Sequence, residues 1–209
     1  MSEVSAVMSN FSFLSRVLEM LGPASGAGED VYAWERLESE LGFGFPEDYR
    51  KIIDSYAPVM LNHHLYLHHP ATSRWNLGES IERSATAFSE VDWEDVGVEW
   101  DPRGALGLEK LEFGTPRGLV EIAGSDRSEV VFWAPSLDWP RGRIFCLWGM
   151  EGFYEYRFTF SEWLYRYLVG EDMIGPNSAA FYPGPVHFRR LPMSPEDKSV
   201  TWVGPDRGM

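Results

Sequence analysis

Apolar residues recur with a helical period in the first half of the chain and alternate with polar residues in much of the second half. Spacings of three and four predict helices over residues 11–21, 31–41, 46–56, 76–91 and 160–169. Alternation and short apolar runs predict strands over residues 59–67, 119–123, 130–133, 143–148 and 153–158. The last four strands follow one another with short turns, which is typical of an antiparallel meander.

Several residues at the ends of these segments favour the same boundaries. Asp30 suits the N-cap of the second helix, and Gly42 suits its end. Pro46 suits the first position of the next helix, because the N–H that proline lacks has no helical partner there. Thr159 and Glu162 have the spacing of a capping box at the start of the last helix.

The order of helices, then strands, then a helix predicts an α+β fold. We expect an antiparallel sheet of about four to six strands with helices packed on one side. Residues 1–29 are predicted to be an N-terminal helix and a flexible linker rich in Gly, Ala and Ser, and residues 30–171 the folded unit. Residues 172–209 are rich in proline and lack periodicity, so we expect an irregular C-terminal arm.

The net charge of −14 changes the set of plausible partners. Ten acidic and three basic residues lie between Glu79 and Glu112, so the negative charge is concentrated there. Such a surface repels phosphate backbones, which argues against nucleic-acid binding, and it attracts a basic protein. The alternative is that the acidic residues only keep the protein in solution.

The single cysteine, Cys146, cannot form an internal disulfide, and no apolar run reaches the length of a membrane span. Polar residues interrupt the apolar stretch from Phe11 to Leu21, which therefore differs from a signal peptide. We expect a soluble, cytoplasmic protein. Cys146 lies in an apolar strand, so a buried structural thiol is the simplest interpretation.

Four of the five histidines lie between His63 and His69, and they are the most conspicuous polar cluster. On a strand His64 and His68 would share one face, while His63 and His69 would share the other. A metal site needs three or four converging ligands, and the segment contains no Cys, Asp or Glu. An exposed or edge strand that carries histidines is the preferred interpretation, and a pH-sensitive contact surface is a third one.

The sequence shows no motif for a nucleophile, a phosphate loop or a cofactor site. Asp126 and Glu129 could form an acid–base pair, but their place in a hairpin turn favours a solvated turn. We therefore predict no catalytic, cofactor-binding or metal-binding residues, and a protein that is not an enzyme.

Three segments resemble the SUKH superfamily (Smi/Knr type). The stretch from Trp34 to Ile53 looks like its opening motif, a helix ending in Leu-Gly followed by an aliphatic residue–Pro pair and then Asp-Tyr at the start of the next helix. Gly124-Ser125-Asp126 with Val131-Phe132-Trp133 is similar to its central hairpin, and Phe158 to Glu171 is similar to its closing helix. The chain departs from the pattern at Phe45, where leucine is usual, and in the turn 127–129.

The resemblance covers residues 30–171 and implies an α+β fold. In bacteria it implies an immunity protein that binds and neutralises a cognate toxin, often a nuclease or a deaminase. The alternative is a non-catalytic regulatory or scaffold protein of the same fold with another partner. In either case no cofactor is implied.

Acidic and aromatic residues in one segment and one turn are the predicted contact surface, because rings anchor an interface that charge steers. For the two tryptophans the alternative is burial in the core. The predicted partner-binding residues are Asp92, Trp93, Glu94, Asp95, Glu99, Trp100, Asp101, Asp126 and Glu129.

Overall fold

The computed structural model describes residues 3–94, 101–137, 143–149, 152–181, 184–198 and 200–206. Its helices are α1 (Glu3–Leu21), α2 (Val31–Leu41), α3 (Glu47–Tyr56), α4 (Leu77–Ser89), α5 (Pro102–Leu106), α6 (Phe160–Leu168) and the 3-10 helix Ser178–Phe181. Its strands are β1 (Val59–Leu61), β2 (Leu65–Leu67), β3 (Val120–Ser125), β4 (Glu129–Trp133), β5 (Ile144–Trp148), β6 (Gly152–Tyr156), β7 (His187–Arg190) and β8 (Thr201–Val203).

Within the described residues the eight strands form one antiparallel sheet in the order β6-β5-β4-β3-β2-β1-β7-β8. The predicted α+β class is confirmed, but the sheet is larger than the four to six strands expected. One reason is that 59–67 is not a single strand. Asn62 and His63 adopt positive φ angles of 47° and 68°, and the chain turns back there into the β1–β2 hairpin.

One face of the sheet carries the main hydrophobic core. Helices α1, α2, α3, α4 and α6 contribute buried residues to it, including Trp34 and Trp163, which have no exposed surface. The inward-facing sheet residues include Val131 of β4 and Cys146 of β5, which are register partners. This layer is the one that the helical periodicity predicts.

The opposite face is covered as well, which corrects the expectation of helices on one side only. Phe132 of β4 and its register partner Phe145 of β5 belong to a second core cluster with Trp93 and Phe113. Phe88, near the end of α4, packs against that cluster. Because neighbouring residues of β4 are apolar on both faces, the sheet needs a second covering layer.

The N-terminal residues are part of the fold. Val17 and Leu21 of α1 are buried in the main core, and α1 packs along α6. The Gly-rich stretch after α1 is hydrogen-bonded to the end of α3: the N–H groups of Gly26 and Gly28 donate to the carbonyl oxygens of Ser55 and Asp54 at 2.8 and 3.1 Å. The expectation of a flexible linker is therefore wrong.

The C-terminal segment is also integral. Strand β7 lies between β1 and the edge strand β8 in the sheet order, and its Phe188 is only 2% exposed. The Trp163 indole N–H donates to the carbonyl oxygen of Met173 at 3.0 Å. The expectation of an irregular arm is wrong. The six prolines of this segment lie outside β7 and β8 and do not prevent these two strands from pairing.

The predicted helix boundaries are largely confirmed. The Asp30 carboxylate accepts a hydrogen bond from the Ala33 N–H at 2.9 Å, and Gly42 ends α2 at a φ of 77°. Thr159 Oγ1 accepts from the Glu162 N–H at 3.3 Å. Helix α3 begins one residue later than expected, at Glu47.

Candidate functional site

The predicted contact segment divides into exposed carboxylates and a buried ring. Asp92 and Glu94 are exposed, whereas Trp93 is 9% exposed and packs on Phe113 and Phe153 with ring centroids 5.7 and 5.3 Å away. Its indole N–H donates to the Phe88 carbonyl oxygen at 2.9 Å. Trp93 therefore follows the second interpretation, burial in the core, and is not an aromatic anchor. Asp95, Glu99 and Trp100 lie outside the described residues.

Asp101 caps the short helix α5 and already has a cationic partner. Its Oδ2 lies 2.6 Å from Nε of Arg103, and Nη1 of the same arginine lies 3.6 Å from a carboxylate oxygen of Glu94. Exposed ion pairs of this kind contribute little free energy. A partner that uses these carboxylates has to compete with Arg103.

The turn residues Asp126 and Glu129 are not equivalent. Asp126 is exposed, but Glu129 is 3% exposed and begins β4. Its carboxylate accepts a hydrogen bond from the Ser125 hydroxyl at 2.8 Å, and burial raises its pKa. The expectation that Glu129 lies on a solvated contact turn is wrong, because the first residue of β4 is directed into the fold.

The histidine cluster does not form a common surface. His64 is buried, with Nδ1 donating to the Asn62 carbonyl oxygen at 3.1 Å and Nε2 accepting from the Tyr167 hydroxyl at 3.3 Å. His69 is also buried, and its Nε2 lies 3.0 Å from the Gly28 carbonyl oxygen. His63 is exposed beside His187. The described residues hold no group of three potential metal ligands.

A groove of about 620 Å³ lies between α2 and α4, and we call it the α2–α4 groove. Its floor includes the buried Leu37 and Ile81, while Glu40, Glu79 and Glu82 stand exposed along its rim. Arg36 is the one basic residue among the groove's lining residues that the structure describes. The groove therefore combines an apolar floor with a predominantly negative rim.

Helical periodicity produces this groove. Leu37 and Ile81 lie on the inward faces of their helices, and the acidic residues lie where those faces meet solvent. The helices approach closely at Gly78, where a Cβ atom would lie 3.2 Å from a methyl group of Leu37. The sequence contained the acidic positions, but only the pairing of α2 with α4 brings them to one rim.

A second depression, of about 330 Å³, lies on the other flank of α4, and we call it the α4–sheet pocket. Helix α4 contributes Ser80 and Arg83, strands β2 and β3 contribute Tyr66 and Glu121, and Trp75 closes one side. The Ser80 hydroxyl donates to Glu121 Oε1 at 2.8 Å. Sequence reasoning missed this pocket, because its residues come from distant parts of the chain.

His68 also lines the α4–sheet pocket, and its ring lies beside Trp75, with centroids 6.1 Å apart. Burial, with a smaller contribution from Arg83, lowers the pKa of His68 from 6.5 to about 4. The imidazole is therefore neutral at pH 7 and adds no positive charge to the pocket.

We expect His68 to make the protein less stable in mild acid. The unfolded chain binds a proton at the ordinary pKa of 6.5, whereas the native state binds it only near 4, so the free energy of unfolding falls as the pH drops through this window. The full contribution is about 3 kcal/mol. Urea unfolding of wild type and His68→Gln between pH 7 and pH 4 measures it as a smaller loss of stability in the variant.

The difference between the two proteins is the informative quantity. Burial raises the pKa values of Glu121 and Glu129, and these groups have the opposite pH dependence because protonation relieves their buried charge. Their effect is common to both proteins and cancels. Parallel pH profiles for wild type and His68→Gln would contradict the prediction.

Cys146 is buried, as expected, and burial raises the pKa of its thiol. The S–H group donates to the Met173 carbonyl oxygen at 3.3 Å.

None of the described helices has the length and apolar character needed to cross a bilayer. Comparison of the chain with protein-family models, curated proteins and solved structures finds no match.

Proposed function

We propose that this chain is a cytoplasmic, non-catalytic immunity protein of the SUKH type that neutralises a basic toxin domain by binding it. The observation that supports the proposal most directly is the α2–α4 groove, whose apolar floor lies below three exposed carboxylates. An apolar floor provides affinity through burial, and the charged rim favours a cationic partner over a neutral one. That the partner is a toxin is inferred from the resemblance of residues 30–171 to the superfamily.

The rim also fits the charge of the whole chain. Asp92 and Glu94, which come a few residues after the end of α4, are exposed as well and add to the negative charge of the surface. A protein of net charge −14 accelerates its encounter with a basic domain, and the local rim then orients the complex. A nuclease or deaminase domain that holds phosphates is basic for that purpose and suits such a surface.

A protection assay tests the proposal. The chain is co-expressed with the toxin encoded beside its gene, and growth is followed. We expect wild type to restore growth and Glu40→Lys/Glu82→Lys to fail, because reversing two rim charges weakens binding by about 100-fold. Neither substitution removes a helix cap or a core contact, and lysine near the C-terminal end of α2 is favourable to that helix.

The matched control is Glu109→Lys/Glu196→Lys. Both residues are exposed and lie outside the groove, so this variant has the same net charge as the rim variant. We expect it to protect cells nearly as well as wild type. Equal loss in both variants would reduce the role of the groove to long-range steering, and failure of wild type to protect would refute the immunity function. A non-toxin partner would then favour the regulatory alternative.

A further inference from the structure

We propose that the α4–sheet pocket binds one arginine side chain of the protein partner, with the guanidinium against the Tyr66–Trp75 wall and paired to the Glu121 carboxylate. The source of the arginine rests on the proposed function, since a basic partner provides it. The pocket itself is a property of this chain. Its volume of about 330 Å³ accommodates a single long side chain rather than a helix or a strand.

The Glu121 carboxylate forms no ion pair with a described residue, and the charge of Arg83 acts on it only from beyond salt-bridge distance. The side chain is half-buried, and the groups that donate to it are the hydroxyls of Ser80 and Ser84. No Lys, Arg or His side chain of the described residues comes within 4.0 Å of it, and burial raises its pKa. A partly desolvated carboxylate with neutral donors gains most from a cation that enters beside it.

The aromatic wall suits a planar cation. The rings of Tyr66 and Trp75 are nearly parallel, at 10°, with centroids 6.0 Å apart. Trp75 is held in place because its indole N–H donates to the Pro192 carbonyl oxygen at 3.1 Å. Guanidinium stacks on aromatic faces and pairs with a carboxylate through two parallel hydrogen bonds, whereas a lysine ammonium cannot do the latter.

Gly124 keeps the pocket open. It is the register partner of Tyr66 on the adjacent strand, so its missing side chain leaves space directly beside that ring. A Cβ atom at this position would lie 3.4 Å from Glu121 Oε1. Any larger side chain would occupy the place where the guanidinium meets the carboxylate.

Arg83 is the one cationic side chain of the described pocket lining. Its charge predicts the direction in which its removal should change the affinity for arginine. Its side chain is exposed, so it can turn towards solvent when a second cation enters. It nevertheless repels that cation, so removing it should strengthen the binding of arginine. The opposite result is expected for an anionic ligand, which Arg83 would attract.

The two depressions can serve one partner. Helix α4 presents Glu79 and Glu82 to the α2–α4 groove, and Ser80 and Arg83 to the pocket on its other flank. A partner that straddles α4 therefore places a basic surface on the rim and one arginine in the pocket.

The test uses N-acetyl-argininamide as the probe and N-acetyl-citrullinamide as its neutral isostere. Binding to the full-length protein is followed by NMR through the indole N–H signal of Trp75. We expect a saturable shift with the arginine probe and at least tenfold weaker binding of the citrulline probe. Glu121→Gln should weaken arginine binding about tenfold, and Arg83→Ala should strengthen it severalfold.

Gly124→Val is a second variant, which retains Glu121 and fills the pocket. It tests the inference independently if Glu121→Gln has a folding defect. We expect it to abolish the shift. No shift in wild type, equal binding of both probes, or weaker binding to Arg83→Ala would each overturn the inference.

The two proposals fail separately. If the arginine probe binds as described and the chain does not protect against the toxin, the pocket stands and the immunity function falls. If the chain protects and Glu121→Gln binds the toxin as tightly as wild type, the immunity function stands and the pocket does not bind an arginine of the toxin.

Discussion

Removing residues 172–209 is expected to abolish cooperative folding. The deletion takes away β7, which is hydrogen-bonded to β1 inside the sheet, and leaves β1 as an open edge. It also removes Val186 and Phe188 from the main core and the Met173 carbonyl oxygen that accepts from Trp163 and Cys146. A domain of this size is stable by only about 5–15 kcal/mol. The combined losses exceed that free energy of unfolding.

Circular dichroism with thermal unfolding measures this result. We expect the shortened chain to show no cooperative transition, and we expect Phe188→Ala in the full-length protein to lose about 3–5 kcal/mol through the cavity it leaves. The control is Glu196→Ala, at an exposed position of the same segment, which should lose less than about 0.5 kcal/mol. A shortened protein that unfolds cooperatively at the wild-type temperature would contradict the role given to β7.

Replacing Trp34 by alanine is expected to cost about 3–5 kcal/mol in the free energy of unfolding. The side chain has no exposed surface, and its ring packs edge-on against Phe45 and Tyr49 with centroids 5.5 and 6.3 Å away. Its indole N–H donates to an Asp54 carboxylate oxygen at 2.8 Å, so the substitution also removes this hydrogen bond.

Two further variants separate these contributions in urea unfolding. Trp34→Phe keeps an aromatic ring but removes the donor, so we expect it to lose less than Trp34→Ala. Tyr32→Ala, two residues away on the same helix, removes a ring that is 84% exposed and should change stability by less than about 0.5 kcal/mol. If Trp34→Ala and Tyr32→Ala were equally stable, the main core would not depend on Trp34 as described.

The predictions on stability and the predictions on binding concern different residues of this protein. Trp34 and Phe188 are buried in the main core, whereas the two depressions lie on the flanks of α4, whose Leu77 and Ile81 also belong to that core. Because Glu40 and Glu82 are exposed, these rim residues can be changed without removing a core contact, and the binding predictions can be tested separately from the folding predictions.

The sequence by itself determined the local structure well. Asp30, Gly42 and Thr159 mark helix ends because their side chains or backbone angles satisfy groups only a few residues away. The hydrophobic period identified α2, α3, α4 and α6 because a helix buries one face whatever its neighbour is. The α+β class followed from the order of these elements.

Contacts between distant segments were decided only by the tertiary structure. Residues 172–209 show too little periodicity to predict β7, which becomes a strand because β1 offers it an edge. The sequence allowed two interpretations of Trp93, an exposed interface anchor or a buried core residue. The packing of Phe113 and Phe153 around its ring shows that it is a core residue. Both proposed binding surfaces arise where α4 meets segments that are far away in the chain. No local sequence pattern predicts such contacts, because burial depends on which surfaces come together and not on the order of residues within either one.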